Sequence, residues 1–257
     1  MKASTERQAD NSSEEPINPG MGEIESFREE AEGYLKRDAF FEKLAWVATI
    51  LVPVALVLTG VRLLLTPAFV QLEYRTPGFP PDSYGFTQAD RLFWSRIALD
   101  YLLNDAGIAF LGDLRFDNGE PVYNERELNH MADVKAVVKN ALIVWYVSLA
   151  GLLGLGVWAW FGGWWEHYRL ALVRGGRLTI VLVGGIILFV LAAFGIFFIA
   201  FHEVFFDPNT WTFAFSDTLI RLFPERFWRD AFLVVGLIAV LGGAGLAFGF
   251  RKKEAKL

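Results

Sequence analysis

Four long apolar segments alternate with polar ones along the chain. Each is close to the roughly 20 helical residues that cross the hydrocarbon core of a bilayer. The apolar segments are residues 44–65, 140–161, 178–201 and 231–250. Most charged residues lie between these segments or near the two ends of the chain. The pattern predicts an all-α polytopic membrane protein with four transmembrane helices, and it excludes a single soluble domain.

Lysine and arginine residues near the ends of the apolar segments predict the topology. Basic residues precede the first segment, fill the short loop 162–177 and close the chain in 251–257. Both termini and this loop are therefore predicted to be cytoplasmic. The segments 66–139 and 202–230 are then predicted to lie on the outer side of the membrane.

The first 40 residues are polar and acidic, with no apolar run after Lys2. A cleavable signal peptide is therefore not expected. Residues 1–40 are predicted to form a disordered cytoplasmic tail, with a helical tendency only near Ser26–Phe41. The tail is not expected to contribute to the membrane domain.

The outer segment 66–139 is too long for a simple loop. It is predicted to form a small mixed α/β extracytoplasmic cap. Thr87 begins a predicted helix, and Leu114–Phe116 lies in a predicted strand region rich in turns. Asn124, with Glu127 three residues later, predicts the start of a helix that continues into the second span.

Composition narrows the chemistry that this protein can perform. The net charge of −5 argues against a nucleic-acid partner. There is no cysteine, which excludes disulfides, thiolate nucleophiles and thiolate metal ligands on this chain. Histidine titrates near neutrality, and His130 and His202 lie beside span ends on the predicted outer side. His167 lies on the predicted cytoplasmic side and is interpreted as an interfacial residue.

Two polar motifs flank the second and third spans. Glu127, His130 and Asp133 recur at steps of three, which places them on one helical face. The complete runs are Glu127-Leu-Asn-His130-Met-Ala-Asp133-Val-Lys135, then Phe201-His202-Glu203-Val-Phe-Phe206, then Trp211, Asp217-Thr-Leu-Ile-Arg221 and Phe223-Pro224.

In this order, and between these spans, the runs resemble those of a bacterial four-span integral-membrane family that includes the lipoprotein intramolecular transacylases. The resemblance covers roughly residues 44–250. One stretch, Thr212–Ser216, departs from it, because the family tends to carry a turn with proline and acidic residues there.

The resemblance implies an acyltransferase of the bacterial cytoplasmic membrane whose active site lies at the outer-leaflet face. The implied reaction moves the sn-2 acyl chain of a diacylglyceryl lipoprotein to the α-amino group of its N-terminal cysteine, which gives the lyso-form lipoprotein. The implied partners are the lipoprotein substrate and membrane lipids. No cofactor, metal ion or nucleic acid is expected.

The resemblance also implies that His130 and His202 act as an acid–base pair, with either ring as the base. The predicted supporting side chains are Glu127, Asp133, Glu203, Trp211, Asp217 and Arg221. The four carboxylates are candidates to orient an imidazole ring. Arg221 is interpreted either as a donor to the oxyanion or a lipid phosphate, or as half of a structural ion pair. Trp211 is interpreted either as an interfacial anchor or packing residue, or as a substrate contact.

Two other interpretations remain open. Glu127-x-x-His130 has the spacing of a carboxylate-bridged metal motif to which His202 and Glu203 would add ligands, although such sites usually contain two such units. The second interpretation is a non-catalytic receptor or assembly factor, because the segment 66–139 is large enough to bind a partner. It predicts that alanine at both histidines leaves function intact.

Overall fold

The computed structural model describes residues 19–208 and 210–251. Within them the secondary structure is helical: α1 (Pro19–Leu64), α2 (Pro67–Glu73), α3 (Gln88–Leu103), α4 (Ala109–Gly112), α5 (Glu125–Phe161), α6 (Trp165–Phe205), α7 (Thr218–Leu222) and α8 (Glu225–Gly249). Of these, α1 from Glu23 onward, α5, α6 and α8 are long and apolar enough to cross a membrane. The prediction of an all-α protein with four membrane-spanning helices is confirmed. The predicted basic tail 251–257 lies outside the described residues after Arg251.

Helix α1 begins at Pro19, so the structure differs from the predicted disordered tail over residues 19–40. This stretch is rich in glutamate, lysine, arginine and alanine, which favour helix. It also extends an apolar helix that is already formed, and so avoids the cost of nucleation. Residues up to Lys43 form one compact unit, and residues from Leu44 form another. Residues 1–18 of the predicted tail lie outside the described residues.

Helices α6 and α8 pack antiparallel through small residues. Gly176 lies directly against the backbone of Gly243, and Gly236 lies against the side chain of Ile187. A methyl group added to Gly176 would overlap the carbonyl oxygen of Gly243 and would lie 2.9 Å from the backbone nitrogen of Ala247. Close backbone contact of this kind is typical of helix packing in membranes. It fixes the helix that carries His202.

Helices α1 and α5 join this pair by polar contacts inside the bundle. The Thr49 hydroxyl on α1 lies 3.4 Å from the carbonyl oxygen of Ala171 on α6. The Trp145 indole on α5 donates to the Thr59 hydroxyl at 3.0 Å. Large apolar side chains such as Leu153 and Val181, each 71% exposed, point away from the bundle. In a bilayer these side chains contact lipid chains.

The prediction of a mixed α/β cap is wrong, because residues 66–139 contain no strand. The predicted strand at Leu114–Phe116 is part of a tight turn with one isolated bridge between Arg115 and Pro121. The Phe116 amide donates to the Glu120 carbonyl at 2.8 Å. The hydrogen bonds close within this turn, while Leu114 and Phe116 pack against the buried core of the cap. The described part of the chain offers no strand that could extend the bridge.

Two predicted helix starts in the cap are confirmed. The Thr87 hydroxyl accepts from the Asp90 amide and the Asp90 carboxylate accepts from the Thr87 amide, which is a capping box. Asn124 and Glu127 form the same reciprocal pair at the start of α5. The second box sets where α5 begins and therefore where His130 lies.

Helix α2 contacts the first turns of α8 through a buried carboxyl group. Glu73 is 5% exposed, and its Oε1 has no hydrogen-bond partner among the described residues. Burial, then the charge of Asp230 and a hydrogen bond with it, raise the pKa of Glu73 from 4.5 to about 7, against the opposing effect of Arg226 and Arg229. The protonated form of Glu73 is thus favoured in the folded state.

Stability is expected to fall as the pH rises from about 4.5 to about 7, where the unfolded chain loses the Glu73 proton and the folded chain keeps it. Glu73→Gln should remove this slope and raise the melting temperature above that of wild type at pH 8. Thermal unfolding in detergent at pH 5 and pH 8 measures both effects. Glu120→Gln, at an exposed position of the cap, is the control. Parallel pH curves for wild type and Glu73→Gln would contradict the assignment.

Candidate functional site

Two histidine rings meet where α5 and α6 approach the cap. His130 lies in the second turn of α5. Helix α6 has a kink at Ala193, and His202 lies beyond this kink in the last turn of the helix. The two rings are nearly parallel, with centroids 6.2 Å apart and an angle of 21° between the planes. Each histidine is only 8% exposed. The structure therefore brings together the two histidines that the sequence singled out.

Aromatic rings enclose this pair. Phe206 and Phe213 pack on His130, with ring centroids 4.8 and 5.3 Å away. Trp211 lies 4.7 Å from the His202 ring, and Phe198 lies 4.1 Å from it. The rings shield both imidazoles from water, and among the described residues neither imidazole has a carboxylate as a hydrogen-bond partner. Such surroundings favour neutral imidazole rings, since burial penalises the charged form.

The hydrogen bond of His202 defines which nitrogen carries its proton. His202 Nδ1 lies 2.8 Å from the carbonyl oxygen of Phe198, one helical turn earlier. A carbonyl oxygen only accepts, so Nδ1–H is the donor and the lone pair of a neutral ring resides on Nε2. His130 differs, because its buried Nδ1 has no partner among the described residues.

Among the described residues, the hydrogen bonds of Glu127 run to backbone amides and not to either imidazole. Its side chain is 1% exposed, and both carboxylate oxygens accept from backbone amides. Oε2 accepts from Asn124 at 2.8 Å, and Oε1 accepts from Leu219 at 2.7 Å. The carboxylate thus joins the start of α5 to α7, and it supports His130 only by fixing the helix.

Alanine at Glu127 is expected to destabilise the protein by about 1–3 kcal/mol, because the Leu219 amide would be left buried without an acceptor. The melting temperature in detergent measures this loss. Glu125→Ala, on the exposed side of the same helical turn, is the matched control and should change little. Equal melting temperatures for the two variants would refute the bridging role.

The other predicted carboxylates lie away from the rings. Asp133 and Glu203 are exposed. The Asp217 carboxylate accepts from the Ala214 amide at 2.9 Å and so shapes the turn before α7. Within the described ranges, none of the three hydrogen-bonds to a histidine. Their predicted role in orienting an imidazole remains a prediction.

Arg221 forms a structural ion pair with Asp82, which is one of the two roles predicted for it from the sequence. Its Nη2 lies 3.0 Å from Asp82 Oδ2, and its guanidinium lies 3.4 Å from the centroid of the Phe86 ring. Burial alone would raise the pKa of Asp82, but hydrogen bonds from Arg221 and the Phe86 amide outweigh it and lower that pKa below its ordinary value. The pair ties the loop before α3 to α7.

Sequence reasoning missed the contribution of Phe198. Its carbonyl oxygen is the acceptor for His202, and its ring packs on the same imidazole. The spacing of four residues on a predicted helix was the available signal, because a side chain near a helix end can reach the carbonyl one turn earlier. The part of the chain that the structure describes contains no cluster of three histidine, aspartate or glutamate side chains suited to a metal ion.

The fold and the site define an integral membrane protein with four long helices, a helical cap and a buried histidine pair at the cap end of the bundle. A family model described as Lit, lipoprotein intramolecular transacylase, matches residues 46–228. The chain belongs to this family. An uncharacterised protein of Aquifex aeolicus (strain VF5) is 30% identical over 194 residues, which cover 73% of this chain and 83% of the relative.

Solved structures share the architecture. The membrane integral lipoprotein intramolecular transacylase Lit from Bacillus cereus, determined in meso, matches with a TM-score of 0.67 at 19% identity, over 82% of this chain and 93% of that chain. A histidine-to-arginine variant of that enzyme gives a TM-score of 0.68 at 17% identity, with coverages of 86% and 95%. At these identities the likeness establishes the fold.

Proposed function

We propose that this protein moves the sn-2 acyl chain of a diacylglyceryl lipoprotein to the α-amino group of the lipoprotein's N-terminal cysteine. The observation that carries the proposal is the buried, stacked pair of His130 and His202. Membership of the transacylase family supplies the reaction class. Donor ester and acceptor amine belong to one molecule, so the site need not bring two molecules together and can gain rate by orienting them for attack.

In the proposed mechanism His202 is the base. The Phe198 carbonyl holds its Nδ1 proton, so Nε2 is free to accept a proton from the attacking amine. The amine nitrogen bonds to the ester carbonyl carbon, and the carbonyl electron pair moves onto oxygen. The bond to the glycerol oxygen then breaks, and that oxygen takes the proton back from His202. His130 donates a hydrogen bond to the carbonyl oxygen while charge develops there.

The aromatic enclosure suits this transfer. A site with little water disfavours hydrolysis of the ester, which would otherwise compete with attack by the amine. We place both termini in the cytoplasm and the histidine pair at the outer leaflet, since the short loop 162–177 and the segment 251–257 at the opposite ends of the spans are rich in lysine and arginine. The glycerol ester of an outer-leaflet lipoprotein lies at that depth.

Tandem mass spectrometry of a reporter lipopeptide tests the proposal. The reporter is purified from a host that leaves lipoproteins diacylated, with and without this protein. The total mass does not change, because the acyl chain only changes position, so the fragment ions carry the information. We expect an acyl chain on the cysteine amine only when the protein is present. A diacylglyceryl form that persists beside folded, membrane-inserted protein would refute the proposal.

A further inference from the structure

Trp211 sits in the histidine site with an unsatisfied donor. Its ring lies 4.7 Å from the His202 ring at an angle of 36°. Its Nε1 is buried and has no hydrogen-bond partner among the residues that the structure describes. A buried donor without an acceptor is costly, and natural proteins rarely keep one without a purpose. An indole that only anchors a protein at the membrane interface keeps its N–H in contact with water or headgroups.

A second nitrogen without a hydrogen-bond partner lies beside the His202 ring. His130 Nδ1 is also buried and without a partner within the described ranges. His130 and Trp211 both neighbour His202, whose own Nδ1 is occupied by Phe198. Two nitrogens near one potential base are therefore without a partner, and the described residues provide no acceptor for the indole.

We infer that the Trp211 indole N–H donates to the carbonyl oxygen of the acyl ester as this oxygen becomes an oxyanion, which makes Trp211 a catalytic residue. The inference rests on the proposed transacylase function and deepens it. Trp211 would share the oxyanion with His130, and His202 would remain the base.

The chemistry requires such a donor. When the amine nitrogen bonds to the carbonyl carbon, one electron pair moves to the carbonyl oxygen, and the amine proton passes to His202. The carbonyl oxygen carries a full negative charge until the bond between the carbonyl carbon and the glycerol oxygen breaks. The glycerol oxygen then takes the proton from His202. A hydrogen bond that becomes stronger as the charge develops on this oxygen lowers the barrier to acyl transfer. A hydrogen bond that is equally strong in the ground-state ester and in the transition state would only tighten substrate binding. The Trp211 N–H donates a hydrogen bond but transfers no proton, so it does not change the atom balance of the reaction.

Replacing only the N–H group tests this role. Site-specific incorporation of 3-benzothienylalanine at Trp211 exchanges the N–H for sulfur and keeps the size and shape of the ring. Trp211→Phe serves as the second variant. Initial rates of transfer on a synthetic diacylglyceryl lipopeptide in detergent give kcat and KM. We expect kcat to fall about 100-fold or more in both variants, the range for loss of one oxyanion donor, with KM unchanged.

Trp228 provides the matched control. It lies in the first turn of α8, is 36% exposed and packs on Phe223 and Phe227. The same two replacements at Trp228 should leave kcat and KM near wild type.

Each outcome separates the two proposals. Full activity of the benzothienyl variant with a slow phenylalanine variant would make Trp211 a packing residue and overturn the inference. A rise in KM with unchanged kcat would do the same. No transfer by the wild-type protein would refute the transacylase function itself. Transfer by wild type with a fall in kcat confined to Trp211 supports both.

Discussion

Alanine at His202 should lower the rate of acyl transfer to the cysteine amine by about 10²–10⁴-fold, the usual contribution of a general acid–base residue. The reason is the direction of its hydrogen bond. Nδ1 is held by the Phe198 carbonyl at 2.8 Å, so the opposite nitrogen is available for the proton of the amine. His202→Gln should be equally slow, since an amide nitrogen cannot accept a proton near neutral pH.

The other histidines give this experiment its contrast. Alanine at His130 should also slow formation of the N-acyl product, because in the proposed mechanism its ring, which stacks with His202, donates to the oxyanion. His167→Ala is the control, since this residue lies at the start of α6, at the opposite end of the helix from His202. Fragment ions of the reporter lipopeptide and melting temperatures of the purified variants provide the readouts. A folded His202→Ala protein with wild-type rates would rule out acid–base catalysis by this residue.

Leucine at Gly176 should prevent the protein from folding into its native bundle. The position has no room even for a methyl group, because backbone atoms of Gly243 and Ala247 occupy the space. Backbone atoms cannot rotate out of the way as side chains do, so α6 and α8 would have to separate. Overpacking typically costs 1–3 kcal/mol for a few methylene groups, and here the loss of the helix contact adds to it.

Gly185→Leu is the matched control for this effect. Gly185 lies on the same helix, is exposed, and has nothing within 4 Å of the position that a side chain would take. Size-exclusion profiles of fluorescent fusions in detergent, together with melting temperatures, should show aggregation or loss of Gly176→Leu and a normal peak for Gly185→Leu. Similar peaks for both variants would show that α6 and α8 do not depend on this contact.

The sequence predicted the spans because hydrophobicity over about 20 residues is a strong and local signal. The helix starts at Thr87 and Asn124 were equally local, since a capping box depends on residues three apart. The strand near Leu114 was mispredicted because a strand needs a partner, and the partner depends on the tertiary fold. Nothing in the local pattern shows that this turn closes on itself and buries its apolar side chains against helices.

The histidine site also has features that the sequence predicted and features that only the tertiary fold decides. The sequence identified His130 and His202 by their position beside the spans, and it placed Glu127 on the same helical face as His130. It could not show that the other Glu127 oxygen, Oε1, accepts from the Leu219 amide, because that contact joins residues 92 positions apart. The Arg221 partner, Asp82, was likewise hidden by distance along the chain. Contacts of this kind are decided by packing.

The partner that orients His202 is a main-chain oxygen, so substitutions of side chains do not remove it. Alanine scanning deletes side chains, so Phe198→Ala would remove a ring and leave the acceptor in place. In the proposed mechanism this backbone oxygen takes the place of the third member of a catalytic triad, and any residue at position 198 that preserves the helix supplies it. Alanine screens should therefore miss this acceptor, and evolution remains free to choose the side chain at position 198 for packing alone.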